Sequence, residues 1–346
     1  MVETVNAVGD ARGDPGDPGD AAEVSAPGAG GRGRWGGFVR RSLVRLLISL
    51  WVVVTASFLM IHMVPGDPVR ATLGMSAPPE LVEATREALG LTRPLLVQYF
   101  DYIGGLFTGD MGVSITTRLP VAQVIADRLP ATVALALAAF AVAVALAIPV
   151  GTAVAVATRR GRRRGLELGF AGVSVTLATV PNFFLAVASV AVFSVALGWL
   201  PVAGADGPAA YVLPVAALAI GPAAVLARIM RVEMLSVLEA DFVRTARAKR
   251  LSAVRVNLGH ALPNAVTASL TIGGMMLAGL VAGTVLVERV FAWPGLGSMI
   301  VQSILAKDYP MAQGIVLVYG AAVLVLNTLV DVVLELVDPR TAMAGA

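Results

Sequence analysis

The sequence has no cysteine, two histidines and two lysines among its 346 residues. The missing cysteines exclude disulfides, thiolate metal sites and cysteine nucleophiles. His62 and His260 are far apart in sequence, so we expect no histidine-based zinc centre. Neither Lys249 nor Lys307 lies between Gly and Ser or Thr, so the chain lacks a P-loop and should not hydrolyse ATP itself. With no HExxH motif either, we assign no catalytic residue, metal or cofactor to this chain.

Charge is also scarce: 14% of residues are charged and 57% are hydrophobic, with a mean hydropathy of +0.81. Soluble domains are about one quarter charged, so the composition predicts an integral, all-α membrane protein. The net charge is +3, and all but two of the 26 basic residues are arginine. Because these cations cluster beside apolar runs, we read them as signals of membrane topology, and we expect no nucleic-acid partner.

The first 36 residues are rich in Gly, Pro, Ala and acid, including a GDPGDPGD run at 13–20. Such a stretch cannot bury enough apolar surface to order itself, so 1–36 is predicted to be a disordered cytoplasmic tail. Its length before the first apolar run argues against a cleaved signal peptide. We therefore interpret 37–66 as the first transmembrane helix and an uncleaved anchor.

Six apolar runs are each long enough to hold a helix of about 20 residues, the length that crosses a bilayer. The third run predicts one long helix kinked at Pro181. The runs are Leu46–Gly66, Leu129–Thr158, Leu168–Ala205, Gly207–Ala227, Val256–Val287 and Tyr309–Val330.

Arginine clusters orient these spans. One cluster precedes the first span, a second lies at 159–164, and a third follows the fourth span. Six spans place all three on one side, which the positive-inside rule assigns to the cytoplasm together with both termini.

Residues 67–128 then form an extracytoplasmic cap, with short helices predicted at Pro79–Leu89 and Pro94–Ile103. Residues 129–340 form a five-helix core, and 341–346 form a cytoplasmic tail.

The third arginine cluster is a long segment, Glu239–Pro263, which we call the basic segment. It carries five cations and has a helical pattern with two parts. Leu238, Phe242 and Ala246 are predicted to share one apolar face. The segment could lie on anionic lipid, or act only as a topology signal. Its length and its two parts favour docking onto a soluble protein partner.

Few charged residues fall within the spans, where a charge costs about 3 kcal/mol. Asp331 shares a helix face with Asn327 and Glu335, which could form an ion relay; we favour an anchor against another helix or an arginine. Glu288 and Arg289, at the outer end of the fifth span, could form a gate or a surface pair. Without intramembrane carboxylates, an ion-coupled carrier is disfavoured.

The fifth span is rich in glycine, with a GxxxG pattern at 279–283. Small residues let helices approach closely, and they also offer backbone polarity beside a substrate path. The candidate path or gate residues are Gly273, Gly274, Met275, Gly279, Gly283, Glu288, Pro294 and Gly295.

The basic segment resembles the cytoplasmic loop of permease subunits of binding-protein-dependent ABC importers. That superfamily has E-A-A, three residues, Gly, nine residues and I-x-L-P. Anchoring the pattern on Leu262 and Pro263 places the triplet at 244–246, the glycine at Arg250 and the isoleucine at His260. Residues 242–252, FVRTARAKRLS, resemble YVRTARAKGLS of the branch that handles dipeptides, oligopeptides, nickel and glutathione.

Further stretches resemble the same branch in the same order, from about residue 41 to 340. They are MVPGDPV at 63–69, GDMGVS at 109–114, PVAQVIADRLPATVALA at 120–136, HALPNA at 260–265, the 287–314 stretch VERVFAWPGLGSMIVQSILAKDYPMAQG, and VDPR at 337–340. The departure is Arg250, which replaces a glycine that would supply a permissive backbone between two short helices.

The resemblance implies the type I importer permease fold with six transmembrane helices, in the bacterial inner membrane. It implies a heterodimer with a sister permease, two ATPase subunits that bind ATP and Mg, and an external solute-binding protein. It also implies that the basic segment couples to the ATPase through Glu239, Asp241, Phe242, Arg244, Thr245, Ala246, Arg247, Ala248, Arg250, Leu251, Leu262 and Pro263.

The expected function is the pore of an ATP-driven peptide importer, contacted by membrane lipid. The alternatives are import of nickel or another small solute by the same machine and, further away, an ion-coupled carrier or an intramembrane enzyme.

Overall fold

The computed structural model describes residues 31–63, 68–74, 76–88, 90 and 92–337. The chain divides into two units, Met1–Val44 and Arg45–Ala346. Residues 1–30 of the predicted tail, 64–67 of the MVPGDPV stretch, 338–340 of VDPR and the tail 341–346 lie outside the described residues. The disordered tail predicted over 1–36 is wrong at 31–36, because these residues continue the first helix toward its N-terminus.

The described ranges are helical, apart from loops and one isolated bridge between Val113 and Pro120. They include a 3-10 turn, Arg159–Gly161, and two π-helical segments, Val190–Ala196 and Arg255–Ala261. The helices are α1 Gly31–Met63, α2 Pro68–Leu73, α3 Pro79–Ala88, α4 Leu95–Thr108, α5 Val121–Thr158, α6 Arg164–Thr179, α7 Asn182–Ser189, α8 Pro208–Glu239, α9 Asp241–Ala248, α10 Leu262–Val290, α11 Leu296–Leu305 and α12 Tyr309–Val337.

Five helical stretches among these residues are long and apolar enough to cross a membrane. They are Arg40–Met60, Val121–Gly161, Pro208–Glu239, Ser269–Val290 and Tyr309–Val332. A sixth span results if the bent pair Arg164–Thr179 and Asn182–Ala196 counts as one crossing.

The bend between these two stretches is 93°, much sharper than the kink predicted at Pro181. Val180 precedes the proline and adopts an extended backbone (φ −68°, ψ 124°), as the proline ring requires of its neighbour. The helix therefore ends at Thr179, and Pro181 opens the next helix instead of kinking a continuous one.

Helices α5 and α8 form the centre of the bundle and make the most extensive helix pair. Gly151 of α5 lies against α8: an added Cβ would come within 2.5 Å of the Ala227 carbonyl oxygen. Buried alanines continue this close contact, because a methyl side chain lets two backbones approach. They include Ala139, Ala143, Ala147, Ala155, Ala217, Ala219 and Ala227.

The cap contains the two predicted helices, as α3 and α4, and a further short helix, α2, that was not predicted. Helix α4 continues past the expected end at Ile103 and stops at Gly109, whose φ of 79° is left-handed. Tyr99 of α4 packs edge-on against Phe58 of α1, with ring centroids 5.2 Å apart. Helix α4 is thereby docked on the first span.

Candidate coupling and gate sites

The basic segment folds into two short helical parts, as predicted. Helix α8 ends at Glu239, and Ala240 leaves the helix with ψ at 151°. Helix α9 then begins at Asp241, whose carboxylate is favourably placed in the first turn. A π-helical segment, Arg255–Ala261, leads on into α10.

The apolar face predicted through Leu238, Phe242 and Ala246 is wrong. The break at Ala240 separates Leu238 from Phe242, so a spacing of four residues no longer places them on one face. Val243 is fully buried instead, and Phe242 is 46% exposed.

Val243 and Ala246 attach α9 to a core that joins three longer helices. Their cluster includes Ala155 of α5, Met230, Met234 and Leu238 of α8, and Ala265 of α10, together with Val256 and Ala261. Because these side chains are packed together, a displacement of α9 has to move the ends of the neighbouring spans as well.

The opposite face of α9 is exposed. Among the predicted coupling residues, Ala246 is buried and Arg247, Leu251 and Leu262 are half-buried. The exposed ones are Glu239, Asp241, Phe242, Arg244, Thr245, Ala248, Arg250 and Pro263. An anchored helix with Phe242 and several charges outward suits contact with a protein partner.

Arg250 occupies the position where the related pattern has glycine, and its φ is +55°. This left-handed backbone follows the end of α9, where the Arg250 N–H donates to the Arg247 carbonyl oxygen at 2.9 Å. An L-residue pays about 1–2 kcal/mol for this conformation, and glycine pays little. The backbone at residue 250 therefore supports the inference that the glycine of the related pattern supplies a permissive conformation between two short helices.

Two arginines connect the C-terminal part of α8 to the ends of α5 and α6. From the sequence, Arg159 was interpreted only as a topology signal, and Arg231 was given no role. Arg159 donates from Nη2 to the Leu238 carbonyl oxygen at 2.8 Å, at the last turn of α8. Arg231 of α8 donates to Glu167 Oε1 at 2.7 Å and to the Thr158 hydroxyl at 3.2 Å. The basic residues of α8, isolated in an apolar run, were the available signal.

Near the C-terminal end of α10, Glu288 is fully buried, so the surface pair predicted with Arg289 is wrong. Thr132 of α5 donates to Glu288 Oε1 at 2.8 Å, and the Ser298 N–H donates to Oε2 at 3.1 Å. Ser298 lies in the first turn of α11, where free N–H groups favour a carboxylate. Glu288 therefore joins α5, α10 and the start of α11.

The PGLG turn is shaped around this carboxylate. A Cβ added at Gly295 or Gly297 would lie 2.4 or 2.9 Å from Glu288 Oε2. The Leu296 N–H between them donates to the Thr132 hydroxyl at 2.9 Å. Pro294 itself is exposed. Glu288 and Gly295 thus form a packed joint, and their role as a gate stays a prediction.

A second buried carboxylate, Asp308, was not singled out from the sequence. It precedes α12, and its oxygens accept hydrogen bonds from the Ile115 and Thr116 N–H groups at 3.2 Å each. It also accepts bonds from the Ser114 hydroxyl and the Met311 N–H. Asp308 caps α12 and fastens the 114–116 turn of the cap to it.

Some glycines of α10 pack closely against neighbouring side chains, and one is exposed. An added Cβ would lie 3.0 Å from Val330 at Gly274, 3.5 Å from Leu226 at Gly273 and 3.5 Å from Asn182 at Gly283. At Gly279 it would meet nothing within 4 Å.

Gly279 belongs to an exposed stripe at helical spacing, which we call the α10 stripe: Ile272, Met275, Gly279, Ala282 and Leu286. Of the candidate path residues, Met275 and Gly279 lie on this stripe, and the other glycines of α10 do not.

Asp331 has the arginine partner of the favoured interpretation, since Arg45 Nη1 lies 3.6 Å from its Oδ2, but the pair is not a buried anchor: the two side chains are 71% and 44% exposed. In the described part of the chain, no group of three or more His, Cys, Asp and Glu residues could hold a metal ion.

Comparison with known proteins assigns these features to a family. Residues 147–343 match the family described as binding-protein-dependent transport system inner membrane component. Residues 37–136 match the N-terminal family of the same transport systems.

Close relatives cover nearly the full length. The glutathione transport system permease protein GsiC of Escherichia coli (strain K12) is 38% identical, over 87% of this chain and 97% of that protein. A protein of Brucella suis biovar 1, assigned as a peptide transport system permease, is 40% identical over 87% of this chain and 98% of its own length.

A solved structure titled as an amino acid ABC transporter with histidines aligns at a TM-score of 0.46 and 17% identity, covering 62% of this chain and 94% of that one.

Both parts of the chain match one transport family, the relatives are aligned almost end to end, and the helices are apolar enough to cross a membrane several times. The chain therefore belongs to the binding-protein-dependent transport system inner membrane component family, the multi-pass permease subunits of ABC importers.

Proposed function

We propose that this chain is one half of the pore of an ATP-driven importer of di- or oligopeptides. The observation that carries the proposal is the identity of 38–40%, along 87% of the chain, to permeases named for glutathione and peptide transport. Glutathione is itself a short peptide, so both names point to one substrate class. The family works with a solute-binding protein and an ATPase.

The finer assembly is a heterodimer with a sister permease and two ATPase subunits, which bind ATP and Mg. Both termini and the basic segment lie in the cytoplasm, residues 67–128 form the external cap, and 129–340 form the core. This orientation requires the bent pair α6–α7 to act as one crossing, because only an even number of spans puts all arginine clusters on one side.

The basic segment transmits the ATPase movement. Phe242 and Arg244 are exposed for contact, and Val243 and Ala246 are packed into the cores of α8 and α10. A push on the exposed face therefore reaches the spans through the buried face. ATP then drives transport because its binding favours one of two arrangements of the spans.

The α10 stripe lines the path between the two permease halves. Its members are apolar or small, and Gly279 exposes backbone without fixed charge. Such a surface accepts side chains of different size and charge, as a peptide importer requires. The ion-coupled alternative loses support, since the Arg45–Asp331 pair is largely exposed and near the helix end.

The test is reconstitution of the complete complex in lipid, with the ATPase rate measured with and without the binding protein and a defined peptide mixture. Stimulation that needs both supports a peptide importer. A stable complex stimulated by nickel or another small solute, and not by peptides, would reassign the substrate.

Coupling is tested in the same preparation by Phe242→Ala and Arg244→Ala. Both should lower the stimulated rate and uptake, while the conservative variants Phe242→Leu and Arg244→Lys keep more of each. Unchanged uptake in both alanine variants would remove the basic segment from the coupling path.

A further inference from the structure

A groove of about 710 Å³ lies at the inner end of α5, on the side that carries the arginine clusters. One wall is the last turns of α5, and the other is the second part of the basic segment with the start of α10. Arg162 and Arg163 stand at its border. We call it the inner groove. It is separate from the exposed face of α9 and from the α10 stripe.

The walls are mainly apolar. Ile148 and Val156 contribute from α5, and Val254 and Leu258 contribute from the basic segment. Val254 and Leu258 are 67% and 53% exposed, respectively, although each is a large apolar side chain. The inner groove is therefore an unfilled apolar surface within the described chain, and its occupant has to be partly apolar.

The border is polar and cationic. Arg162 and Arg163 are exposed, and neither has a carboxylate within salt-bridge distance among the described residues. Thr152 lies on the α5 wall between Ile148 and Val156, and its buried hydroxyl has no hydrogen-bond partner in the described structure. Asn257 adds an amide to the opposite wall. The two cations at the border match the phosphate of a phosphate diester.

The depth of the groove decides the class of ligand. The α5 wall belongs to the membrane-crossing stretch Val121–Gly161, and the two arginines follow directly after that stretch. The groove thus runs from the hydrocarbon to the polar boundary, with the charges at the boundary. A molecule that fits has an acyl chain at one end and an anionic phosphate at the other.

We propose that the inner groove binds one anionic phospholipid of the adjacent leaflet. Its phosphate contacts Arg162 and Arg163, and the first part of an acyl chain lies along Ile148, Val156 and Leu258. The lipid then touches both α5 and the basic segment. Its occupancy favours the arrangement in which these two walls stand apart, so it regulates how the basic segment moves.

The test is native mass spectrometry of the complete complex from nanodiscs of phosphatidylcholine with phosphatidylglycerol. The double variant Arg162→Gln/Arg163→Gln should retain phosphatidylglycerol about ten-fold or more weakly than the parent. The matched control is Arg160→Gln/Arg164→Gln, which removes the same charge from the same loop but does not line the groove. If both double variants lost phosphatidylglycerol equally, the effect would be one of general surface charge, and the proposed lipid site would be wrong.

A second variant, Leu258→Trp, keeps every arginine and fills the apolar part of the groove. It should also release the lipid while the complex stays assembled. Displacement of the lipid by millimolar inorganic phosphate would identify a phosphate site without an acyl requirement. Crosslinking of Val254→Cys to the sister permease would show a protein occupant. Either result contradicts the proposal, and neither depends on which solute is transported.

Discussion

Thr132 on α5 donates a 2.8 Å hydrogen bond to the carboxylate of Glu288 on α10, although 156 positions separate them in sequence. The same hydroxyl oxygen accepts the Leu296 N–H at the start of α11. One threonine therefore connects α5, α10 and the turn that leads from α10 into α11. A buried carboxylate needs such donors, because an unpaired buried charge is costly.

Thr132→Val keeps the shape of this side chain and removes its hydroxyl. It should lower the stability of the complex by about 1–3 kcal/mol, since the Leu296 N–H loses its acceptor and Glu288 loses the hydrogen bond from Thr132. The measurement is the thermal unfolding midpoint in detergent. Thr176→Val is the control, because the exposed Thr176 hydroxyl bonds only to the carbonyl oxygen of Gly172 one turn earlier. If Thr176→Val lost as much stability as Thr132→Val, the hydroxyl of Thr132 would have no special stabilising role between α5, α10 and α11.

Arg250→Gly should raise stability by about 1 kcal/mol, because glycine adopts the observed left-handed backbone without strain. Arg247→Gly removes the same type of side chain three residues earlier, inside α9, and should lower stability by about 1 kcal/mol. The opposite signs separate backbone strain from loss of charge. If the unfolding midpoint of Arg250→Gly decreases as that of Arg247→Gly does, the backbone φ at residue 250 does not limit stability.

Asp308→Asn should destabilise the outer end by about 1.5–3 kcal/mol. The carboxylate accepts backbone N–H groups at both oxygens, and an amide nitrogen in place of one oxygen would face a donor. The readout is proteolysis of the 109–120 loop together with the unfolding midpoint. Asp101→Asn is the control, since Asp101 forms an exposed pair with Arg93 and should contribute less than about 1 kcal/mol. Proteolysis at the parent rate would contradict this role of Asp308.

Because this chain has no cysteine, a single introduced cysteine is labelled without background from the rest of the chain. If the α10 stripe lines the path as proposed, Gly279→Cys should react with a water-soluble thiol reagent in the complete complex, and its rate should change when ATP is bound. Ala278→Cys is one residue away and 4% exposed, so it should react at least about ten-fold more slowly. Labelling of Gly279→Cys only by lipid-soluble reagents would place the stripe against lipid instead.

Sequence reasoning worked best where one stretch of chain decides the outcome. The apolar runs, the pattern of α3 and the glycine position now held by Arg250 each depend on neighbours within a few residues. The apolar face through Leu238 and Phe242 failed, because a single extended residue at Ala240 changed the helical register. Pro181 was recognised as a disturbance, but its 93° bend depends on how both halves pack.

By itself, the sequence determined the membrane class, the family and the helical segments, since apolar length, cation position and short motifs are local properties. Only the tertiary structure decided which polar residues meet. It buried Glu288 against Thr132, fastened Asp308 to the 114–116 turn and divided the glycines of α10 between packing and exposure. These outcomes depend on contacts between segments far apart in the chain, and a hydrogen bond needs a distance that no residue pattern specifies.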